Sequence, residues 1–398
     1  MSNRLNLLTP EFIENPHPYL AELRRSGPIV QVDPGGMWVV TRFDDAQYVL
    51  KSPQLFSSQG LRMGLEPASL GRPNPIVDSL IFQDPPEHGR LRVLVSRAFT
   101  PATLAQLDPR IRAVTQALVR RMMEERKVDF VDAFAVPLPA TVLGWFLGLD
   151  PSLQRHFKRW THSMAAIGAA RPEDTALMEQ CRRTLGEMEQ YCQGVLAERR
   201  RSLGDDIVSN LLRVEVDGEA LTDRELMGFF FLLISAGLET TTSLLCHCVR
   251  VFAMNPGLLL RLRENRALIP RFIEETLRYE PSLMTTMRLC RQDVKVAGVA
   301  LPQGALVLVS LASASRDEKY FPDGDRFVLE REGPPQLSFG HGPHFCLGAM
   351  LARLEARVAL EEMVSSVGRL ELWTEHIEWT PSFLVRAPQA LPVELFPV

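Results

Sequence analysis

Cys346 is the residue in this chain with the most chemistry open to it. It closes a glycine-rich stretch, Ser338-Phe-Gly-His-Gly-Pro-His-Phe-Cys-Leu-Gly-Ala349, and a helix-period run from Ala349 to Leu360 follows directly. A thiol at the mouth of a helix meets free N–H groups and the positive end of the dipole. Both favour the thiolate, the form that binds metal and attacks electrophiles. Gly342 and Gly348 let the backbone turn sharply or approach a flat ligand. Phe339 and Phe345 supply apolar cover that keeps water off the sulfur. A lone cysteine beside a turn is usually a buried, inert one; the company this one keeps argues for a ligand.

A second chemical feature interrupts a long apolar run. Ser235-Ala-Gly-Leu-Glu-Thr-Thr-Thr-Ser243 puts Glu239 and Thr240 in the middle of a helical segment with no Lys or Arg between Arg224 and Arg250. A carboxylate there is costly unless it is paired or wetted. Gly237 thins the helix, and a Thr240 hydroxyl bonded one turn back bends it and admits water. The residues alone leave two readings. One is a glutamate that reaches solvent beside a threonine patch; the other is an acid and an alcohol that move protons where water is scarce. His88 and Arg92, four apart, share a helical face and form either a solvated basic surface or a joint grip on an anion. Cys246-His-Cys248 suggests a metal, but residues two apart on a helix do not face each other.

Phe339, Gly342, Cys346 and Gly348 together match the fingerprint of the haem-thiolate cytochrome P-450 family. By composition, a chance match in a chain of this length is on the order of one in a thousand. The chain resembles a soluble bacterial member. The resemblance implies a mainly α fold with small β-sheets (α+β) and one domain over residues 1–398. Haem b, iron protoporphyrin IX, is expected between a long central helix and the cysteine-loop helix, with the Cys346 thiolate as axial ligand beside Phe339 and Gly348. The resemblance implies that His88, Arg92, Arg288 and His344 neutralise the haem propionates. Ala236-Gly-x-Glu-Thr240 matches its acid–alcohol pair, which assigns Glu239 and Thr240 to proton delivery. Glu275 and Arg278 match its Glu-x-x-Arg pair, with Arg326 in the place of the second arginine, as a structural triad. Gly60–Pro75 and His162–Thr175, the latter read as a mobile connection, correspond to the two halves of a lid. Met284, Thr285 and Phe383 fall in pocket-lining segments, which are mainly apolar; Arg62, in another, is a loop arginine.

The elements that must position these residues are partly readable. Residues 10–26 suggest one short helix delayed by Pro16 and Pro18. Ile29–Val32 and Met37–Val40 read as a hairpin across Asp33-Pro-Gly-Gly36. Gly60–Pro75 reads as a long surface loop. Asp84, with Glu87 three residues on, is a helix start. Leu104–Arg201 is helical almost throughout, interrupted at Pro137, Pro139, Pro151 and Pro172, with Glu198–Arg201 a solvated end. Thr222-x-x-Glu225 is a capping box opening a helix to Met254, about 32 residues and about 48 Å. Val294–Ser310 shows strand alternation, and Gly368 is read as closing the cysteine helix.

The 398 residues carry a net charge of -4, so nothing global favours nucleic acid. Six scattered cysteines fit reduced thiols. No signal peptide and no uncharged stretch long enough for a membrane span are seen, which suggests a cytoplasmic protein; a monomer is expected. The resemblance implies a monooxygenase that joins one atom of O2 to an apolar organic substrate by C–H hydroxylation or epoxidation. No dinucleotide fingerprint or flavin segment is recognisable, so electrons are expected from a ferredoxin or flavodoxin with an NAD(P)H-dependent reductase. Arg97, Arg353 and Arg357 are the candidate docking cations. The alternatives are a peroxide-driven haem-thiolate oxygenase and a haem sensor or carrier.

Overall fold

The computed structural model describes residues 4–149, 154–169, 174–374 and 376–398. Two compact units emerge: Met1–Ser57 with Asp108–Leu138 and Thr240–Val398, and Ser58–Leu107 with Pro139–Glu239. The first holds a five-stranded sheet. Its order is Ile29–Val32, Met37–Val40, Leu306–Ser310, Thr285–Cys290, Phe56–Ser57. The expected hairpin is there, with Ile29 opposite Val40 and Val32 opposite Met37. Met37–Val40 then runs parallel to Leu306–Ser310, which is antiparallel to Thr285–Cys290. Val40, Val307 and Val309 bury one face of this sheet with Phe43, Val49 and Phe56. Burial of a phenylalanine such as Phe56 stabilises by roughly 1.5–3 kcal/mol. Val39 and Leu308 face the opposite way, onto Leu20 and Ala312, as the two-residue strand period requires.

Helix Ala349–Ser366 packs against Asp108–Glu125 in the same unit, joined by ion pairs from Arg112 to Glu361 (2.6 Å) and Glu362 (2.7 Å) and from Arg357 to Asp108 (2.5 Å). The second unit is built on Glu87–Ser96, Gln154–Ala169 and Thr175–Arg201, with Met178, Leu185 and Met188 in its core. The long helix, Asp223–Met254, starts as its capping box dictates. Glu225 accepts the Thr222 N–H at 2.7 Å and the Thr222 hydroxyl accepts the Glu225 N–H at 3.3 Å. By length and composition this helix, which contains Glu239, is long and apolar enough to cross a membrane, but 61% of its apolar window is buried within the protein.

Several local expectations fail for long-range reasons. Residues 10–26 form two helices, Pro10–Glu14 and His17–Ser26, because Asn15 before Pro16 is driven out of the helical region. Gly60–Pro75 is not open loop: Ser58–Leu61, Arg62–Leu65 and Ala68–Leu70 are helical turns, and Leu70 and Asn74 are fully buried. Asp84 does not cap the helix after it; Pro86 precedes Glu87–Ser96, and Asp84 Oδ1 accepts the Ser58 N–H at 2.8 Å. Strand Lys127–Asp129 breaks the Leu104–Arg201 run, recruited by Pro392–Pro397 at the far end of the chain. Pro137 begins a helix rather than interrupting one. Arg199 is no solvated end, since it donates to Asp206 (2.6 Å) and to the Gly148 carbonyl (2.7 Å). The proposed connection His162–Thr175 is helical to Ala169 and again from Thr175; residues 170–173 lie outside the described residues, as does Pro151. Gly368 closes nothing: the helix passes directly into strand Val367–Leu372, where a side chain on Gly368 would meet the Pro397 carbonyl.

Candidate active site

The Cys346 loop is held by short-range bonds and one tight approach. The Cys346 N–H donates to the Phe339 carbonyl at 2.8 Å, and the Gly340 N–H to Leu337 at 2.7 Å. Gly342 sits at φ +72°, and a Cβ there would lie 2.7 Å from the Leu50 carbonyl, so only glycine serves. Helix Ala349–Ser366 begins immediately after Gly348. The Cys346 side chain is exposed at that helix mouth, whereas Cys181, Cys192, Cys246, Cys248 and Cys290 are all buried. Burial pushes the Cys290 thiol to about 11 and the Cys248 thiol to about 12, which leaves both inert. Among the described residues no cluster of three His, Cys, Asp or Glu groups could hold a metal ion.

Around the loop, Phe339 and Phe345 stand 6.3 Å apart, and the Arg353 guanidinium lies 4.4 Å from the Phe339 ring centre. The Ser338 hydroxyl bonds the Leu277 carbonyl (2.5 Å), which ties the loop to the helix Ile269–Tyr279, and the Ser315 hydroxyl accepts the Leu337 N–H (3.1 Å). His344 ends the short turn Gly342–His344. Arg288 is buried on strand Thr285–Cys290, a strand the sequence pattern had not suggested, and one of its nitrogens donates to the Met287 carbonyl at 2.8 Å. His88 and Arg92 lie on helix Glu87–Ser96 of the other unit, His88 buried and Arg92 half-buried.

The middle of the long helix is where its burial lapses. Leu226–Phe231 and Thr241–Val249 are buried, but between them Ala236 is exposed and Ser235, Gly237, Glu239 and Thr240 are half-buried. Burial pushes the Glu239 carboxyl above its usual range, so it keeps a proton to higher pH than an exposed glutamate. The Ser282 hydroxyl bonds the Thr240 carbonyl at 2.8 Å and fixes that turn.

Glu275 and Arg278 form a bidentate pair at 2.8 Å for both bonds. The third arginine is not Arg326. Arg331 donates from Nε to Glu275 at 3.1 Å, while the exposed Arg326 contributes its backbone carbonyl to Arg278 and Arg331, both at 2.9 Å. The chain between Asp323 and Arg331 loops so that its carbonyls, not the nearer side chain, face the pair. Met284 also departs from expectation: it is buried in the sheet core with Leu308, and Phe383 packs against that cluster. The Thr285 hydroxyl is committed to the Phe383 carbonyl at 3.0 Å. Met284 N–H donates to the Leu384 carbonyl at 2.7 Å, so the two pocket segments meet through backbone. Arg62 is exposed and pairs with Glu66 at 2.9 Å. The side chains of Leu61 and Met63 lie outside the described residues. Two of the candidate docking cations are already neutralised, Arg353 by Glu274 (2.5 Å) and Arg357 by Asp108 and Glu361. Arg97 reaches the Glu215 carbonyl at 3.5 Å.

These residues fit an iron porphyrin. One soft sulfur ligand is exposed at a helix mouth, and Arg288, a buried cation of the same unit, suits a carboxylate side group. A mainly helical chain with small sheets and such a cysteine loop defines the haem-thiolate class. A family model described as Cytochrome P450 matches residues 154–367. Erythromycin C-12 hydroxylase of Saccharopolyspora erythraea is 42% identical over 355 residues, 88% of this chain and 87% of that one. Cytochrome P450 109 of Bacillus spizizenii is 37% identical over 386 residues, 96% of this chain and 92% of that one. The solved structure of CYP109Q5 from Chondromyces apiculatus matches with a TM-score of 0.91 at 37% identity, with both chains covered in full. The chain belongs to the cytochrome P450 family and is a cytochrome P450 monooxygenase.

Proposed function

We propose that this monooxygenase inserts one oxygen atom from O2 into an apolar small organic substrate, by C–H hydroxylation or epoxidation, and acts as one domain over residues 1–398. The Cys346 thiolate would ligate the iron of haem b, and His88, Arg92, Arg288 and His344 would hold its propionates. When bound, the thiolate-ligated haem supplies the activation of O2 and the transfer of oxygen. Glu239 holds a proton that the Thr240 hydroxyl relays, and burial of the flanking turns keeps bulk water from supplying protons elsewhere. Phe339 and Gly348 shape the sulfur's surroundings. Electrons come from a ferredoxin or flavodoxin with its NAD(P)H-dependent reductase. Because Arg353 and Arg357 are paired within the chain, docking on them needs the partner's acidic groups to compete with Glu274 and Asp108.

The observation that carries the reading is the single exposed thiol, Cys346, among five buried ones. Cys346→Ala is expected to abolish the red-shifted Soret band of the ferrous carbon monoxide complex and all ferredoxin-driven product formation. Retention of that band would assign the ligand to another residue.

A further inference from the structure

A cleft of about 770 Å³ opens in the unit that carries Cys346, and none of its lining residues belongs to the cysteine loop or to the candidate pocket segments. Trp379 stands in its wall with two guanidiniums close to its ring. Arg386 lies 3.7 Å and Arg250 4.6 Å from the ring centre. The two arginines differ in what they bond. Arg386 donates to Glu280 (3.2 Å) and to the carbonyls of Ile13 (2.9 Å) and Glu14 (3.0 Å). Arg250 reaches Glu280 only at 3.8 Å, and its Nε and Nη1 are shielded from solvent with no acceptor among the described residues.

The same want of acceptors recurs around the cleft. Arg316, 4% exposed, spends its two terminal nitrogens on Asp325 and the Tyr279 carbonyl, but its Nε has no acceptor among the described residues. His17, 9% exposed, leaves Nδ1 without a partner among them. Arg25 stands exposed in the lining and makes no ion pair or hydrogen bond with a described residue. The carboxylates in the wall do not remedy this. Glu280 already faces Arg386, Arg250 and His17, and the largely exposed Asp325 is taken by Arg316. Among the described lining residues, four arginines against Glu14, Glu280 and Asp325 leave one positive charge in excess with His17 neutral.

We propose that this cleft is a second ligand site, for a small molecule bearing a phosphate or carboxylate group. An oxyanion presents paired acceptors that match the guanidinium fork of Arg250, with Arg316 and His17 behind it and Arg25 at the exposed rim. Neither the haem nor the oxidised substrate enters the argument, so the site stands or falls apart from the catalytic assignment.

The test is equilibrium binding to the holoenzyme by calorimetry and by Trp379 fluorescence, at ionic strength held constant with chloride. The probes are inorganic phosphate and succinate. Saturable binding of at least one is expected, with the fluorescence change lost in Trp379→Phe. Phosphate alone identifies a phosphate ester class, succinate alone a carboxylate class. Arg250→Gln is expected to weaken binding at least tenfold while the ferrous carbon monoxide spectrum stays intact, and Arg250→Lys, which lacks the fork, to restore little. Should Arg250→Gln not fold, Arg25→Gln at the exposed rim is expected to weaken binding about threefold. Failure of both probes to saturate, or unchanged affinity in all the arginine variants, overturns the proposal.

Discussion

Two ionic clusters flank the same helix, Ile269–Tyr279, and only one of them is saturated. At Glu275, every N–H of Arg278 has an acceptor: both oxygens of Glu275 and the carbonyls of Ser315, Gly324 and Arg326. Glu275 also accepts the Val328 N–H at 2.8 Å and Arg331 at 3.1 Å. At Glu280, one residue past the helix, burial opposes the charge, but His17, Arg250 and Arg386 hold the carboxyl well below the usual range. Its arginine partner Arg250 remains short of acceptors. Buried charge stabilises a fold only when its bonds are complete. A complete cluster is a brace, and an incomplete one lining a cleft is a place for a ligand.

The largest expected effect tests that contrast directly. Glu275→Gln strips a dry, fully committed pair and is expected to cost about 3–5 kcal/mol in urea unfolding. Glu280→Gln is expected to cost less, because Arg386 keeps its bonds to the Ile13 and Glu14 carbonyls and Arg250 gives up only a 3.8 Å contact. Equal losses would erase the distinction between the clusters.

A smaller effect separates the two arginines after the helix. Arg331→Ala removes a bond to Glu275 and is expected to destabilise by about 1.5–3 kcal/mol. Arg326→Ala keeps the carbonyl that matters and is expected to stay within about 0.5 kcal/mol. The reverse order in unfolding midpoints would restore Arg326 to the triad.

A third effect is read in pH. Burial, with Arg316 and Arg386 nearby and Glu280 opposing, lowers His17 from 6.5 to about 4. Between these values the unfolded chain binds more protons, so His17 contributes stability that is present above pH 6.5. That stability is lost at about 1.4 kcal/mol per pH unit as pH falls toward 4. Glu355, buried on the cysteine helix, has the opposite sign. Burial raises it from 4.5 to about 8, so stability falls as pH rises across that window. His17→Gln should flatten the acid limb and Glu355→Gln the alkaline one. Unchanged slopes in chemical denaturation across pH 4–8 would remove these groups from the account.

What was legible in the sequence was whatever acts within one or two turns of chain. The Thr222–Glu225 box, the hairpin across Asp33–Gly36 and the glycine-bounded Cys346 loop depend on neighbours, so residue type and spacing suffice. The Glu275–Arg278 spacing belongs to the same class. The tertiary structure decided the rest. Strand Lys127–Asp129 exists because Pro392–Pro397 comes alongside it, and Met284 turns into the core because Leu308 and Leu20 are there to receive it. Arg331 displaces Arg326, and Glu274 claims Arg353, through contacts more than fifty residues apart in the chain. Periodicity records which face of an element is apolar; it carries no record of which distant residue will come to meet it.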